Sequence, residues 1–324
     1  MKNTLLQKLG FGREDRVVLF HCDDIGMNLG SVQAYQDLKD FGLARSGSVM
    51  VNCPWFLSAA NLAKSQSDAD LGVHLMLTSE WQEYRWRPLT NATPESGLVD
   101  AEGFFHRSEY TCWSLAQAEA VEQEVVAQIE AALRVGMPIS HLDSHMFAML
   151  SAKTLPIFYR VAQRYNLPMM ALHSDYLNRV EPFIKHTQMQ RSETPLVPEW
   201  PDVLATTWEM EQADTPLFDN WCSLPYKHAD DRVGHIKHLL TELPAGVSFF
   251  MLHPSLDTPE LRAICPGMDW QVRVADYHAM LSKELQAFIK RQGIHLISFK
   301  DIQALLSHKG HILPKLANRR SIAR

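Results

Sequence analysis

The chain has 324 residues, of which 46% are hydrophobic and 21% are charged, and its formal net charge is -6. This composition is ordinary for a folded globular protein, and the length allows one large domain or two small ones. Nucleic-acid binding requires a basic surface, so the acidic balance argues against nucleic acid as the main partner.

Cysteine usage and hydropathy indicate the compartment. The five cysteines are scattered and include no Cys-x-x-Cys pair, which argues against a disulfide scaffold and a zinc ribbon. Unpaired thiols are typical of a reducing compartment. The first residues lack the apolar core of a signal peptide, and no segment reaches the ~18 apolar residues of a membrane span. We therefore expect a cytoplasmic protein that does not associate with membranes.

Short apolar segments alternate with amphipathic segments along the chain. The apolar segments predict strands at residues 16–22, 46–52, 71–77, 138–145, 168–172, 247–252 and 294–299. A polar turn at 23–26 is expected after the first strand. The alternation predicts the α/β class with mainly parallel strands, as a distorted TIM-like (β/α) barrel. An open doubly wound sheet is the alternative, although no glycine-rich phosphate loop follows any strand.

Helices are predicted between these strands, at about 29–43, from about 114 to 136, up to about 165 and around 280–293. Ser114 is the expected cap of the second helix, which Gly136 ends. Its apolar face is expected to consist of Val121, Val125, Ile129 and Leu133.

The chain is expected to form one domain over residues 1–313, followed by a basic tail at 314–324. Poor periodicity predicts long loops near 79–112 and 174–226. Loops of this length in a compact domain usually carry function or small elements.

Two adjacent carboxylates, Asp23 and Asp24, follow the first predicted strand directly. Beside an apolar strand they are energetically costly unless a positive charge lies close to them, and a metal ion would supply that charge. The alternative is that one aspartate caps the next helix while the other is solvated.

Histidines interrupt or end three further strands. His74 lies within an apolar strand, where a hydrogen-bonded core histidine is the alternative to a metal ligand. His141, Asp143 and His145 alternate along another strand and therefore share one face. One or two of them would bind a metal and another would orient a ligand, unless the strand lies at the surface. His253 follows the strand at 247–252, a position suited to a general acid or base.

These residues lie at the carboxyl ends of strands, where α/β barrels place their active sites. Asp24, His74 and His145 form a set of two histidines and one carboxylate, which leaves positions on an ion open for water and substrate. Asp23 would accept a proton from a water bound to the ion, and His253 would protonate a leaving nitrogen. The set predicts a hydrolase.

Four segments at these residues resemble those of the YdjC-like carbohydrate deacetylases, a family that includes the chitooligosaccharide deacetylases. They are Asp-Asp-Ile-Gly at 23–26, Gly-Val-His-Leu-Met-Leu-Thr at 72–78, His-Leu-Asp-Ser-His at 141–145 and Leu-His-Pro at 252–254. The resemblance implies a distorted TIM-like barrel, one divalent metal ion and removal of N-acetyl groups from sugars. It also implies site residues by position: Asp24, His74 and His145 as metal ligands, Asp23 as base and His253 near the site.

The sequence departs from the family after the third segment. Family members often continue with further histidines, whereas this chain continues with Met-Phe-Ala-Met at 146–149. This difference predicts a more apolar pocket than a chitooligosaccharide deacetylase would have.

Six further residues are candidates for substrate contact. Trp81 and Trp86 could stack on sugar rings, with Arg87 beside them, although such rings also fill gaps under loops or form interfaces. Arg273 would hold an acidic group or pair with a nearby carboxylate. His141 and Asp143 complete the set.

Two other functions fit the ligand set. One is a non-catalytic sugar-binding or regulatory protein with the same fold. The other is a non-haem iron oxygenase, in which Asp23 would have no clear role. The ion is expected to be magnesium or zinc: two imidazoles favour zinc or a transition metal, while magnesium prefers oxygen ligands. A homodimer is the expected assembly, because dimers are the most frequent oligomers among soluble proteins.

Overall fold

The structure is a computed structural model that describes residues 4–180, 199–225 and 229–307. Parallel strands form its central sheet, in the order β4-β3-β2-β1-β6-β5, with β7 also paired to β1. The strands are β1 (Arg16–Ile25), β2 (Ser46–Val49), β3 (Asp70–Leu75), β4 (Leu142–Ser144), β5 (Asn220–Ser223), β6 (Gly246–Leu252) and β7 (His295–Leu296).

Single bridges join the two edges of this sheet. Leu142 in β4 pairs with Met169, and Leu172 pairs with Phe218 just before β5. The backbone N–H of Met170 donates to Leu142 O at 2.9 Å, and that of His173 donates to Phe218 O at 3.0 Å. The sheet therefore curls into a distorted barrel of mainly parallel strands, which confirms the predicted fold class.

Helices follow most of the strands. They are α1 (Leu5–Lys8), α2 (Leu29–Phe41), α3 (Phe56–Ser65), α4 (Glu109–Leu115), α5 (Ala118–Arg134), α6 (Leu155–Tyr165), α7 (Trp200–Gln212), α8 (Arg232–Glu242), α9 (Pro259–Ile264), α10 (Asp269–Met280), α11 (Lys283–Arg291) and α12 (Phe299–Ser307). Residues 174–180 are also helical. Among the described helices, none combines the length and hydropathy needed to cross a membrane. All five cysteines are free thiols, as expected.

Several predicted strands are too long. The strand expected at 138–145 is reduced to β4, which lacks the first four predicted residues and ends at Ser144, just before the left-handed backbone of Met146 and Phe147. The segment 168–172 contributes only the single bridges, and Phe299 begins α12 instead of ending β7. Conversely, β1 continues through the expected turn to Ile25.

The helix predictions also need corrections. Ser114 lies inside α4, and α5 begins only after Gln117, so Ser114 is not its cap. Leu133 is 43% exposed and does not belong to the buried face. The helix expected around 280–293 is two helices, since the Ser282 side chain accepts from Leu285 N and caps α11.

Both segments predicted as long loops carry regular elements: α4 begins in the first, while α7 and β5 lie in the second. The predicted tail at 314–324 and residues 181–198 lie outside the described residues.

Two polar side chains on the buried face of α5 hold the segment that leaves β3. The Gln128 side chain accepts from Met76 N at 2.9 Å and donates to Met76 O at 2.8 Å. Buried Glu124 accepts from the backbone N–H groups of Leu89 and Thr90. Periodicity alone identified only apolar residues of this face, whereas α5 also holds the loop above the barrel through these polar contacts.

We predict that Gln128→Leu lowers the free energy of unfolding by about 1–3 kcal/mol, because both polar groups of the Met76 backbone lose a buried partner. Urea unfolding measures this change. Gln123→Leu is the matched control, since Gln123 is exposed on the same helix and its substitution should stay within about 0.5 kcal/mol of the unchanged protein. Equal effects of the two substitutions would contradict a structural role for Gln128.

Candidate metal centre

Strand alternation directs a row of polar side chains into the barrel. On β1, Val18, Phe20 and Cys22 pack in the main core cluster, whereas Val17 and Leu19 belong to a second cluster with Phe249 and Phe299. Residues two apart on a strand share a face, so His21 and Asp23 continue the row of Val17 and Leu19. The same alternation on β2, β3 and β4, and at the residue just before β4, directs further buried polar side chains into the interior: Ser46, Ser48, Asp70, His74, His141 and Asp143.

A break in the β1–β2 register brings Asp24 to the same place. The register shifts between Cys22 and Ile25, and Asp24 has a φ of 60°. Aspartate tolerates this left-handed conformation better than most residues, because its short polar side chain can bond locally. Two adjacent carboxylates, Asp23 and Asp24, therefore both reach the polar interior, which a regular strand would not allow.

Three candidate ligand atoms form a small triangle at the carboxyl ends of the strands. Asp24 Oδ1 lies 3.3 Å from His74 Nε2 and 3.1 Å from His145 Nδ1. The two imidazole nitrogens are 3.3 Å apart. The structure thus brings together the three residues that the sequence analysis assigned to a metal.

This spacing fits a divalent ion. Ligands bound at roughly 2.0–2.1 Å lie about 2.8–3.0 Å from one another in octahedral geometry and about 3.3–3.4 Å in tetrahedral geometry, so the observed spacing lies between these values. Both oxygens of Asp24 are buried and make no well-aligned hydrogen bond within the described residues. Within residues 4–180, 199–225 and 229–307, Asp24, His74 and His145 are accordingly one of two buried groups that could hold a metal; the other is His21, Asp23 and Asp143.

Carboxylates orient both histidines of the triangle. His74 Nδ1 lies 2.9 Å from Asp143 Oδ1, and Ser48 Oγ donates to Asp143 Oδ2 at 2.8 Å. His145 Nε2 lies 3.1 Å from Glu80. Carboxylates that hold the second ring nitrogen fix the tautomer and orientation of metal-binding histidines, and they increase the basicity of the ligating nitrogen.

These charges shift the pKa values of the group. Burial by itself lowers the pKa of His145, but Glu80 and Asp24 outweigh it and raise that pKa to about 9. Burial likewise opposes a charged His74, yet Asp143 raises its pKa well above the ordinary value. Burial would raise the pKa of Asp24, and Arg273 and His145 instead hold it well below its usual range. The interior therefore favours positive charge, either as protons or as a cation.

The remaining predicted catalytic and charged residues surround the triangle. Arg273 Nη1 lies 2.8 Å from Asp24 Oδ2, so Arg273 pairs with a carboxylate. Asp23 Oδ1 lies 2.6 Å from His21 Nδ1. The backbone N–H of His253 donates to Asp276 at 3.0 Å. Burial lowers the pKa of the His253 imidazole, while the nearby Asp24 carboxylate acts against that shift.

The predicted substrate residues occupy different environments. Trp86 is buried, donates from Nε1 to Thr78 O at 2.6 Å and lies edge-on to His145, at 5.9 Å between ring centroids. Trp81 packs against the core from a half-buried position. Arg87 is exposed and stacks on Phe104 at 4.0 Å. Trp86 is therefore the aromatic ring that borders the triangle.

Two of the predicted substrate residues contact other polar side chains of the interior. Asp143 contacts His74, as described above, and His141 Nε2 lies 2.8 Å from His21 Nε2. Sequence reasoning missed Glu80 and His21. The pattern His-x-Asp at 21–23 could have indicated His21, because residues two apart on a strand share a face. Glu80 lies in an irregular segment, where spacing gives no such signal.

An apolar cavity of about 390 Å³ lies beside the segment that follows His145. Its walls include Met146, Phe147, Met170 and Trp221, and the Phe147 and Trp221 rings meet edge to face at 5.3 Å. Two of the four residues that stand in place of further histidines, Met146 and Phe147, thus form part of an apolar wall.

Comparison with known proteins identifies related chains. Residues 17–291 match the model of the YdjC-like protein family. A carbohydrate deacetylase of Thermus thermophilus is 34% identical over 303 residues, which cover 93% of this chain and 99% of that protein. A carbohydrate deacetylase of Listeria monocytogenes is 27% identical over 289 residues, covering 88% of this chain and 99% of that protein.

A solved structure shares the fold. The crystal structure of an Enterococcus faecalis protein, described only provisionally as a cellobiose-phosphate cleavage protein, superposes with a TM-score of 0.69. The two chains are 20% identical, and the superposition covers 89% of this chain and 99% of the other. This similarity supports the barrel and carries no statement on activity.

We predict that His74→Ala lowers the amount of bound zinc at least 10-fold, because it removes one of the three atoms of the triangle. Elemental analysis after dialysis against a fixed free zinc concentration measures the bound ion. His238→Ala is the matched control, since His238 is exposed on α8. Unchanged zinc content in His74→Ala would show that the ion binds elsewhere.

Proposed function

The chain belongs to the family of YdjC-like proteins, and from this premise we propose that it is a metal-dependent hydrolase that removes an N-acetyl group from a sugar or oligosaccharide. The observation that carries the proposal is the triangle of Asp24, His74 and His145 with ligand atoms 3.1–3.3 Å apart. Relatives that match nearly their whole length to this chain are named carbohydrate deacetylases.

The triangle suits one divalent ion. Held by Asp24, His74 and His145, the ion would supply a Lewis acid for the charge that develops on the amide oxygen. Two imidazole donors favour zinc or a transition metal, whereas magnesium prefers oxygen ligands, and both ions belong in the test.

In the proposed mechanism, Asp23 acts as the base. Its carboxylate is buried, its charge acts on His74 of the triangle, and it would take a proton from the water that attacks the acetyl carbonyl carbon. As the carbon–nitrogen bond breaks, the sugar nitrogen needs a proton, and the His253 imidazolium would donate it. Because burial lowers the pKa of His253, its imidazolium is a stronger acid than an exposed one, but it is also the less abundant form of this histidine at neutral pH. The products are acetate and an amino sugar.

Arg273 contributes through Asp24. Its guanidinium holds Asp24 Oδ2 at 2.8 Å, which leaves Oδ1 facing the two imidazoles. Trp86, which lies edge-on to His145, is buried and would support the His145 side of the site from behind.

The test is acetate release from a panel of N-acetylated mono- and oligosaccharides, with protein stripped of metal and then refilled with zinc or magnesium. We expect acetate only from the refilled protein. Retention of a saccharide without turnover would favour a non-catalytic binding role. Turnover that requires ferrous iron and oxygen would favour an oxygenase.

We predict that Asp23→Asn lowers kcat about 10²-fold or more, because an amide cannot accept the proton, while bound metal stays close to the unchanged level. Steady-state kinetics and elemental analysis on the same preparation measure the two effects. Asp202→Asn, a change at an exposed position of α7, is the control and should leave both values unaltered. Near-normal turnover in Asp23→Asn would eliminate Asp23 as the base.

A further inference from the structure

A chain of buried hydrogen bonds runs through the barrel to Asp23. Ser140 Oγ lies 2.8 Å from His141 Nδ1, and His141 Nε2 lies 2.8 Å from His21 Nε2. At the far end, His21 Nδ1 lies 2.6 Å from Asp23 Oδ1. All four residues are buried, so each of these contacts replaces hydrogen bonds to water.

The direction of the donors follows from the acceptor at the end of the chain. An ionised carboxylate only accepts, so His21 Nδ1 carries the proton that bonds to Asp23. With both imidazoles neutral, His21 Nε2 accepts from His141 Nε2–H, and His141 Nδ1 accepts from the Ser140 hydroxyl. Burial lowers the pKa of His141 well below its ordinary value, which agrees with a neutral ring. Every donor in the chain then points toward Asp23.

The inner end of the chain is rigidly held. The His141 ring stacks on Phe299, with centroids 3.7 Å apart and an interplanar angle of 9°. On the side of β3, a Cβ at Gly72 would lie 2.6 Å from the His141 ring and its backbone oxygen. Gly72 thus leaves the space that the ring occupies, and His141 in turn fixes the orientation of His21.

We propose that His21 is a positioning residue for the Asp23 base: its Nδ1–H holds Asp23 Oδ1 and leaves the other carboxylate oxygen to accept the proton. The inference rests on the proposed function of Asp23. His21 itself touches no reacting atom, and it acts by fixing the angle of the carboxylate. Small errors in the placement of a catalytic group lower the rate roughly 10²-fold. A buried hydrogen-bond chain that fixes the Asp23 carboxylate can therefore have a large effect on kcat.

A structural explanation competes with this one. The two histidines could merely satisfy each other inside the barrel, in which case the His141 contact would matter and the Asp23 contact would not. A cation held by His21, Asp23 and Asp143, whose ligand atoms lie within 4.8 Å of one another, is a further possibility to separate.

Two substitutions of His21 separate these explanations. The amide nitrogen of asparagine takes the place of Nδ1, so His21→Asn keeps the donor to Asp23 and loses the contact with His141. The amide oxygen of glutamine can take the place of Nε2 and accept from His141 Nε2–H, so His21→Gln keeps the contact with His141 and loses the donor to Asp23. Each variant loses one buried hydrogen bond, so we expect similar midpoints in urea unfolding.

We expect kcat of His21→Asn to stay within about threefold of the unchanged enzyme, and that of His21→Gln to fall about 30- to 100-fold. KM and zinc content should change little in either variant. Equal kcat values, or a larger loss in His21→Asn, would overturn the positioning role in favour of the structural one. A loss of bound zinc in both variants would instead assign His21 to a cation site and overturn the proposal.

Proton NMR of the metal-free protein gives a readout that does not depend on activity. We expect a strongly downfield imidazole proton from His21, present in the unchanged protein and absent after Asp23→Asn. A protein that shows this resonance but releases no acetate contradicts the proposed function. An active protein whose resonance survives Asp23→Asn contradicts the His21–Asp23 contact.

Discussion

The mutual approach of Asp24, His74 and His145 is the constraint on which the rest of the site depends. Their candidate ligand atoms lie 3.1–3.3 Å apart in a buried interior, where carboxylates are costly unless positive charge compensates them. Glu80 and Asp143 add further carboxylates behind the two imidazoles. Protons or one cation can balance this arrangement, and the carboxylates that raise the pKa values of the histidines are also those that would orient them toward an ion.

The barrel makes this concentration of polar groups possible. Parallel strands bring their carboxyl ends to one rim, and alternation sends every second side chain inward. The bulge at Asp24 adds one side chain that a regular strand would direct away from the interior. The same inward row carries His21 below Asp23, so one strand supplies both the proposed base and the residue that we infer to orient it.

Much of this arrangement could be predicted from the sequence, because the alternation of apolar and polar residues and the ends of strands are both visible in short segments of the chain. Alternating polar residues such as His141, Asp143 and His145 indicated one shared face, and the order of the four segments indicated the family. The limits lie where local signals are ambiguous. The left-handed backbone at Met146 lies directly beyond the end of a strand that was predicted to be longer. Gln128 is polar, so a search for apolar periodicity does not identify it as a buried residue. Glu80 lies in an irregular segment, where residue spacing does not indicate its contact with His145.

Zinc-soaked crystals, measured at the zinc absorption edge, would test the central claim most directly. We expect one anomalous peak at about 2.0–2.2 Å from Asp24 Oδ1, His74 Nε2 and His145 Nδ1. A peak instead among His21, Asp23 and Asp143, or no peak within the barrel, would contradict it. The expected peak would place the ion beside the proposed base, whereas either contradicting result would require a different chemistry for the same fold.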